Sequence, residues 1–71
     1  PYPAVYERCS DDEKYLVIIN PRSEKASTVV SGCKKLEVVY GDPKALSVRK
    51  SSQGLSLRIK GVSSVICKVT E

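Results

Sequence analysis

Turn-forming residues interrupt this chain at short, regular intervals, and no stretch between them shows helical periodicity. The stretches are rich in Val, Ile, Thr and Tyr, which favours β-strands. Seven short strands are predicted: Ala4–Cys9, Tyr15–Ile19, Ala26–Val30, Leu36–Tyr40, Leu46–Lys50, Leu55–Lys60 and Ser64–Thr70. Seven such strands in 71 residues predict one all-β domain, an antiparallel β-sandwich of Greek-key type.

The segment Leu55–Lys60 has the clearest strand pattern. Leu55, Leu57 and Ile59 alternate with Ser56, Arg58 and Lys60. Such alternation is typical of an antiparallel strand with one buried face. Gly54 precedes the strand and is predicted to adopt a positive φ in a tight hairpin.

The segment Tyr15–Ile19 does not alternate, because apolar residues occupy both of its faces before Asn20-Pro21 ends it. A small two-layer sandwich has one interior, so a second apolar face needs a cover. Tyr15, Val17 and Ile19 are taken as the main apolar set of this strand. We therefore predict a docking face made of the remaining apolar side chains. Its residues are Leu16, Ile18, Val39 and Ile66.

The sequence contains few residues that could carry out catalysis. The chain contains no histidine, so the commonest general base and the Ser-His-Asp arrangement are both excluded. Glu7 and Glu37 lie within predicted strands and could form an acid/base pair only if they faced each other. We expect them to be solvated charges, and we expect no catalytic residues and no cofactor.

Metal binding is also not expected. Asp11-Asp12-Glu13 lacks the spaced ligands of a calcium loop, and the three cysteines have no fourth ligand and no histidine for zinc. Cys9, Cys33 and Cys67 are instead predicted to be reduced, mostly buried thiols, which favours a reducing, cytoplasmic compartment. One disulfide plus one free thiol is the alternative.

The four tyrosines suggest a second type of function. Tyr15 and Tyr40 are in step with apolar neighbours and are expected in the core with solvated hydroxyls. Tyr2 and Tyr6 flank the N-terminus and could contact a partner. Carbohydrate-binding modules stack sugars on exposed aromatic rings, so this class stays open as an alternative.

The net charge of +4 allows a third type of function, a small nucleic-acid-binding β-barrel. That function would require Arg49, Lys50, Arg58 and Lys60 to converge on one face beside a stacking aromatic ring. The basic residues are spread along the whole chain, which favours ordinary solvated charges instead. No apolar run is long enough for a membrane-spanning helix, and no membrane partner is expected.

The chain contains, in order, the segments YPAVYER, KYLVIINPRSEKASTVV, LEVVYG and GLSLRIKGVSSVICKV. Together these four segments resemble the C-terminal β-domain of α-amylase-type enzymes of glycoside hydrolase family 13. Tyr2–Arg8 (YPAVYER) matches a Y-P-x-V-Y-x-R-like segment, and Leu16–Ser23 (LVIINPRS) resembles an LVVINPS-like strand. Ser63–Val69 (SSVICKV) resembles an SSVIYKV-like closing strand, with Cys67 at the place of the aromatic residue. The resemblance covers nearly the whole chain.

The resemblance implies a non-catalytic accessory domain that packs on a catalytic (β/α)₈ barrel. The family's catalytic residues lie on that barrel, and none of them maps onto this chain. The parent enzyme would act on α-glucosidic bonds as a glycoside hydrolase or glucosyltransferase, and the domain could contact α-glucan. We therefore expect this chain, which starts at Pro1, to be a processed product or a module of a larger enzyme.

Overall fold

The computed structural model describes residues 2–70, and these form two packed antiparallel sheets. The strands are β1 (Ala4–Ser10), β2 (Glu13–Asn20), β3 (Ala26–Val30), β4 (Lys35–Tyr40), β5 (Leu46–Ser51), β6 (Gly54–Ile59) and β7 (Ser63–Thr70). One short 3₁₀ turn, Pro43–Ala45, precedes β5. Every predicted strand is present, and each boundary lies within two residues of the predicted position. In the part described there is no helix with the length and apolarity needed to cross a membrane.

The chain crosses repeatedly between the two sheets. One sheet has the strand order β1-β2-β7-β4 and the other has the order β3-β6-β5. Only β1–β2 and β5–β6 are hairpins, whereas β7 pairs with β2 and β6 pairs with β3 across long stretches of sequence. These non-local pairings are typical of Greek-key sandwiches, so the predicted fold class is confirmed.

The core lies between the sheets and follows the alternation of β6. Leu55, Leu57 and Ile59 are buried, as the sequence predicted, and they face Val65 and Cys67 of the other sheet. Burying such large side chains contributes roughly 1.5–3 kcal/mol each. The core is therefore concentrated on the two central strands, β6 and β7, and on β2.

The face of β2 that enters the core is the opposite of the predicted one. Leu16 and Ile18, expected on a docking face, are 8% and 0% exposed and belong to the core. Tyr15, Val17 and Ile19 project from the outer side of the sheet instead. The alternation rule fails here because both sets of side chains on β2 are apolar.

Two local irregularities shape the strands. The register of β4 against β7 shifts between Val38 and Tyr40, which leaves Val39 as the extra residue of a β-bulge. Gly54 has a φ of 135°, as predicted, and a side chain there would collide with the Val30 carbonyl oxygen.

The side chain of Asn20 connects the two sheets at one end of the sandwich. It is fully buried at the end of β2. Its amide nitrogen donates to the carbonyl oxygens of Glu24 at 2.8 Å and Lys60 at 3.1 Å, with a longer contact to Ile59 at 3.4 Å. Its side-chain oxygen accepts a hydrogen bond from the Arg22 backbone N–H at 3.2 Å. One amide thus ties β2 to the loop after it and to the end of β6.

The loops on either side of this amide approach each other closely. The Val62 backbone N–H donates to the Arg22 carbonyl oxygen at 2.7 Å. A Cβ at Gly61 would lie 2.2 Å from the Ser23 carbonyl oxygen, so only glycine fits at that position. Glycine at position 61, just after β6, is therefore required by the close packing of this turn on the loop that follows Asn20-Pro21.

Replacing Asn20 by alanine is expected to lower the free energy of unfolding by about 2–3 kcal/mol, because buried carbonyl groups lose their donor. Asn20→Asp should cost more at neutral pH, since it buries a carboxylate among carbonyl oxygens. Urea unfolding followed by circular dichroism measures both effects. Gln53→Ala, at an exposed turn, is the control and should change stability by less than about 0.5 kcal/mol. An Asn20→Ala protein as stable as this control would contradict the assigned role.

Candidate docking surface

A row of apolar and aromatic side chains crosses the whole outer face of the four-stranded sheet. Tyr6 of β1 lies opposite Val17 of β2, Val17 lies opposite Ile66 of β7, and Ile66 lies opposite Tyr40 of β4. Directly opposed residues of antiparallel strands project to the same face. We call these four residues the apolar row.

The apolar row is open to solvent at both ends. Tyr6 is 47% exposed and Tyr40 is 71% exposed, while Val17 and Ile66 between them are half-buried. Ile19 and Ala4 form a second, shorter apolar pair beside the row. Large side chains exposed side by side in this way are the mark of an interaction surface.

A row of charged and polar side chains borders the apolar row on one side. It consists, in order across the sheet, of Arg8, Tyr15, Lys68 and Glu37. The Arg8 guanidinium lies 5.8 Å from the centre of the Tyr6 ring, within cation–π range. An apolar centre with a polar edge is the usual anatomy of a protein interface.

Glu13 organises the end of this charged row. The Tyr15 hydroxyl donates a hydrogen bond to the Glu13 carboxylate, and the Lys68 ammonium lies 3.2 Å from the same group. The Tyr15 hydrogen bond, with help from Lys68, lowers the pKa of the Glu13 carboxyl below its ordinary value of 4.5. The same contacts raise the pKa of the Tyr15 hydroxyl and of the Lys68 ammonium.

The four residues predicted as a docking face do not form one surface. Leu16 and Ile18 are in the core, whereas Ile66 is on the outer face and Val39 is 52% exposed at the bulge. Ile66 is thus the one member that the structure places in the apolar row. The sequence pattern predicted that its pairing partner Val17 faces the core, whereas Val17 lies on the outer face.

Two tyrosines also differ from expectation. Tyr40 was predicted in the core but is the most exposed of the four, and Tyr15 projects from the outer face rather than inward. Tyr2 and Tyr6 are exposed, at 50% and 47%. The bulge at Val39 explains Tyr40, because one extra residue reverses the side to which the next side chain points.

The remaining chemical candidates are not assembled into a site. Glu7 lies on β1 and pairs with Lys14 at 3.7 Å, whereas Glu37 lies on β4, with two strands between them. They project to opposite faces of the sheet, because Glu7 is opposite buried Leu16 and Glu37 is opposite outward-facing Lys68. Among residues 2–70 no group of three acidic or cysteine side chains could hold a metal ion.

The cysteines differ in their surroundings, and no disulfide joins them. Cys67 is fully buried, and burial raises the pKa of its thiol to about 11. Cys33 is partly buried and packs against the core. Cys9 is exposed, which differs from the expectation of mostly buried thiols. Cys67 therefore behaves as a small apolar core residue.

The outer face of the three-stranded sheet has a different character. Arg49 and Arg58 both project from it, but Lys50 points to the opposite side of β5. All four tyrosines lie outside this sheet. The arrangement required for base stacking beside four basic residues is therefore not formed.

The apolar row can be recognised in the sequence only when the pairing of the strands is known. Ile66 looks like a surplus apolar residue on its own strand, whereas Val17 belongs to the set that the sequence pattern assigned to the core. They become one surface only because β7 inserts beside β2 in the register that places them opposite each other.

In comparisons with protein-family models, curated proteins and solved structures, nothing matched this chain.

The pKa of Glu13 provides a test of the charged row. Tyr15→Phe should raise the Glu13 pKa toward 4.5, because the carboxylate loses its principal hydrogen bond. Carboxyl ¹³C chemical shifts followed from neutral to acid pH would measure it. Since the folded pKa is lowered, the stabilisation from these contacts is present above the unfolded pKa and is lost as pH falls through the folded value. Tyr6→Phe, on the same face, is the control. Equal titration midpoints of Glu13 in the two variants would contradict the role of the Tyr15 hydrogen bond.

Proposed function

We propose that this chain is a non-catalytic accessory β-domain that docks, through the apolar row, on the catalytic (β/α)₈ barrel of an α-amylase-type enzyme. Its role is to pack against that barrel and stabilise it. The parent enzyme would act on α-glucosidic bonds, as a glycoside hydrolase or glucosyltransferase. The observation that carries the proposal is the apolar row, which crosses all four strands and is not covered by any other strand of residues 2–70.

The residue types of the apolar row support the proposal that this face binds a protein. Tyr6 and Tyr40 are aromatic residues of the kind enriched in interfaces, and they stand at the two edges of the sheet. Val17 and Ile66 supply the flat apolar centre between them. The charged row on one side would remain at the rim, where ion pairs keep their water.

The sequence resemblance supports the identity of the partner. Tyr6 lies within the YPAVYER segment, Val17 within LVIINPRS and Ile66 within SSVICKV. Tyr40 lies within a fourth segment, LEVVYG, so each residue of the apolar row belongs to a segment that carries the resemblance. The fold that the resemblance implies is also an all-β domain of this kind.

Docking predicts that Tyr40 stabilises the parent protein more than it stabilises the domain alone. Tyr40→Ser should lower the stability of the full-length protein by about 2 kcal/mol, the cost of truncating an aromatic hot-spot residue of an interface. It should change the 71-residue chain little, because Tyr40 is 71% exposed there. Thermal unfolding of both proteins, each with and without the substitution, measures the difference.

Val29→Ser is the matched control, because Val29 is 46% exposed on the outer face of the other sheet. It should affect the full-length protein and the short chain equally. The complete reading frame should also encode a barrel of roughly 200 to more than 400 residues. A reading frame without one, or a dimer of the 71-residue chain that Tyr40→Ser dissolves, would refute the barrel as the partner.

Carbohydrate binding is the second candidate, favoured by the placement of Tyr6 and Tyr40 on one face. Three inter-strand spacings separate them, about 14 Å. Two exposed rings on a flat sheet could stack on separate sugar units of an α-glucan chain. This function would use the same surface as docking, so the two exclude each other at full occupancy.

Sugar binding predicts that maltoheptaose shifts backbone amide signals of the apolar row in NMR spectra of the 71-residue chain. Tyr40→Ala should weaken this binding about tenfold or more, since stacking on one aromatic ring contributes about 1–3 kcal/mol. Tyr2→Ala removes an exposed tyrosine outside the row and is the control. A flat titration at millimolar sugar would reject this candidate and leave docking unaffected.

A further inference from the structure

The outer face of the three-stranded sheet carries a cavity whose lining residues are all serines and arginines, each with a side-chain hydrogen-bond donor. It has a volume of about 280 Å³ and is lined by Ser27, Ser47, Arg49, Ser56 and Arg58. Arg58 lies on the central strand between Ser27 on one side and Ser47 on the other. The small serines leave a depression between the two long arginine side chains.

The two arginines are close enough to act on one ligand. Arg49 is opposite Ser56, and Arg58 is opposite Ser47 on the neighbouring strand, so the arginines are diagonal neighbours. Diagonal neighbours in a sheet lie about 7–8 Å apart, and their Cβ atoms are somewhat closer. Guanidinium groups on flexible stems of this length can converge on an anion located between them.

The two arginines have no acidic residue on their own sheet. The strands β3, β5 and β6 contain no aspartate or glutamate. Neither Arg49 nor Arg58 forms an ion pair or a side-chain hydrogen bond within residues 2–70. Two like charges held side by side repel each other, and a bound anion would remove that repulsion.

We infer that this cavity is a binding site for a tetrahedral oxoanion, the phosphate or sulfate group of a compact ligand. Arg49 and Arg58 would donate charge-assisted hydrogen bonds to its oxygens, and the hydroxyls of Ser27, Ser47 and Ser56 would donate the remainder. The strands of this face contain no aromatic residue on which bases could stack, which fits one anionic group better than a nucleic-acid strand. The site is on the sheet opposite the apolar row and does not depend on docking.

Inorganic phosphate and inorganic sulfate, titrated separately into the ¹⁵N-labelled 71-residue chain at constant ionic strength, test this inference. We expect saturable amide shifts confined to the outer residues of β3, β5 and β6. Arg49→Gln and Arg58→Gln should each weaken binding about tenfold, as expected for loss of one charge-assisted hydrogen bond. Stronger binding of phosphate would indicate a phosphate ester as the natural group, and equal binding would indicate that sulfate esters also fit.

Lys50→Gln is the matched control, because it removes the same charge from the residue next to Arg49 but on the other side of β5. It should leave the affinity for phosphate and sulfate unchanged, and well-dispersed spectra would show that each variant is folded. Equal losses in Lys50→Gln and Arg49→Gln would overturn the site, as would shifts that chloride alone reproduces. Binding of an oligothymidylate without binding of either small anion would identify a polyanion surface instead and would also overturn it.

Discussion

The hydrogen bonds of Asn20 are the constraint on which the arrangement of the two sheets depends. A sandwich held only by apolar contact between its layers could slide, because apolar attraction has no direction. The buried amide of Asn20 fixes one end of β2 to carbonyl groups at the end of β6. Because an unsatisfied buried amide is costly, this end of the sandwich has one favourable alignment. The Asn-Pro pair therefore does more than end a strand.

That alignment separates the chemistry of the two outer faces. The four-stranded sheet presents the apolar row with a charged border, whereas the three-stranded sheet presents a cavity lined by serines and arginines, and its strands contain no acidic residue. The core between them isolates one face from the other. The two proposed sites are therefore on opposite faces of the domain, and a ligand at one of them leaves the other accessible.

Much of the fold could be predicted from the sequence, because turn residues and alternation are local signals. The strand β6 shows this best, since its buried and exposed residues follow directly from their order. The inner face of β2 could not be predicted, because Leu16 and Ile18 are no more apolar than Val17 and Ile19. Only the pairing with β7, more than forty residues away in sequence, decides which set faces inward. Tyr40 was misplaced for a similar reason, because the bulge at Val39 breaks the alternation without a local sequence signal.

The bulge also determines which part of β4 can meet another molecule. A straight strand at the border of a sheet presents unpaired backbone groups to which foreign strands can add, with the risk of fibril growth. The extra residue at Val39 interrupts that border and increases its local twist, which disfavours strand addition. Association is thereby directed to side chains, which can distinguish one partner from another, and away from the backbone, which is the same in every protein.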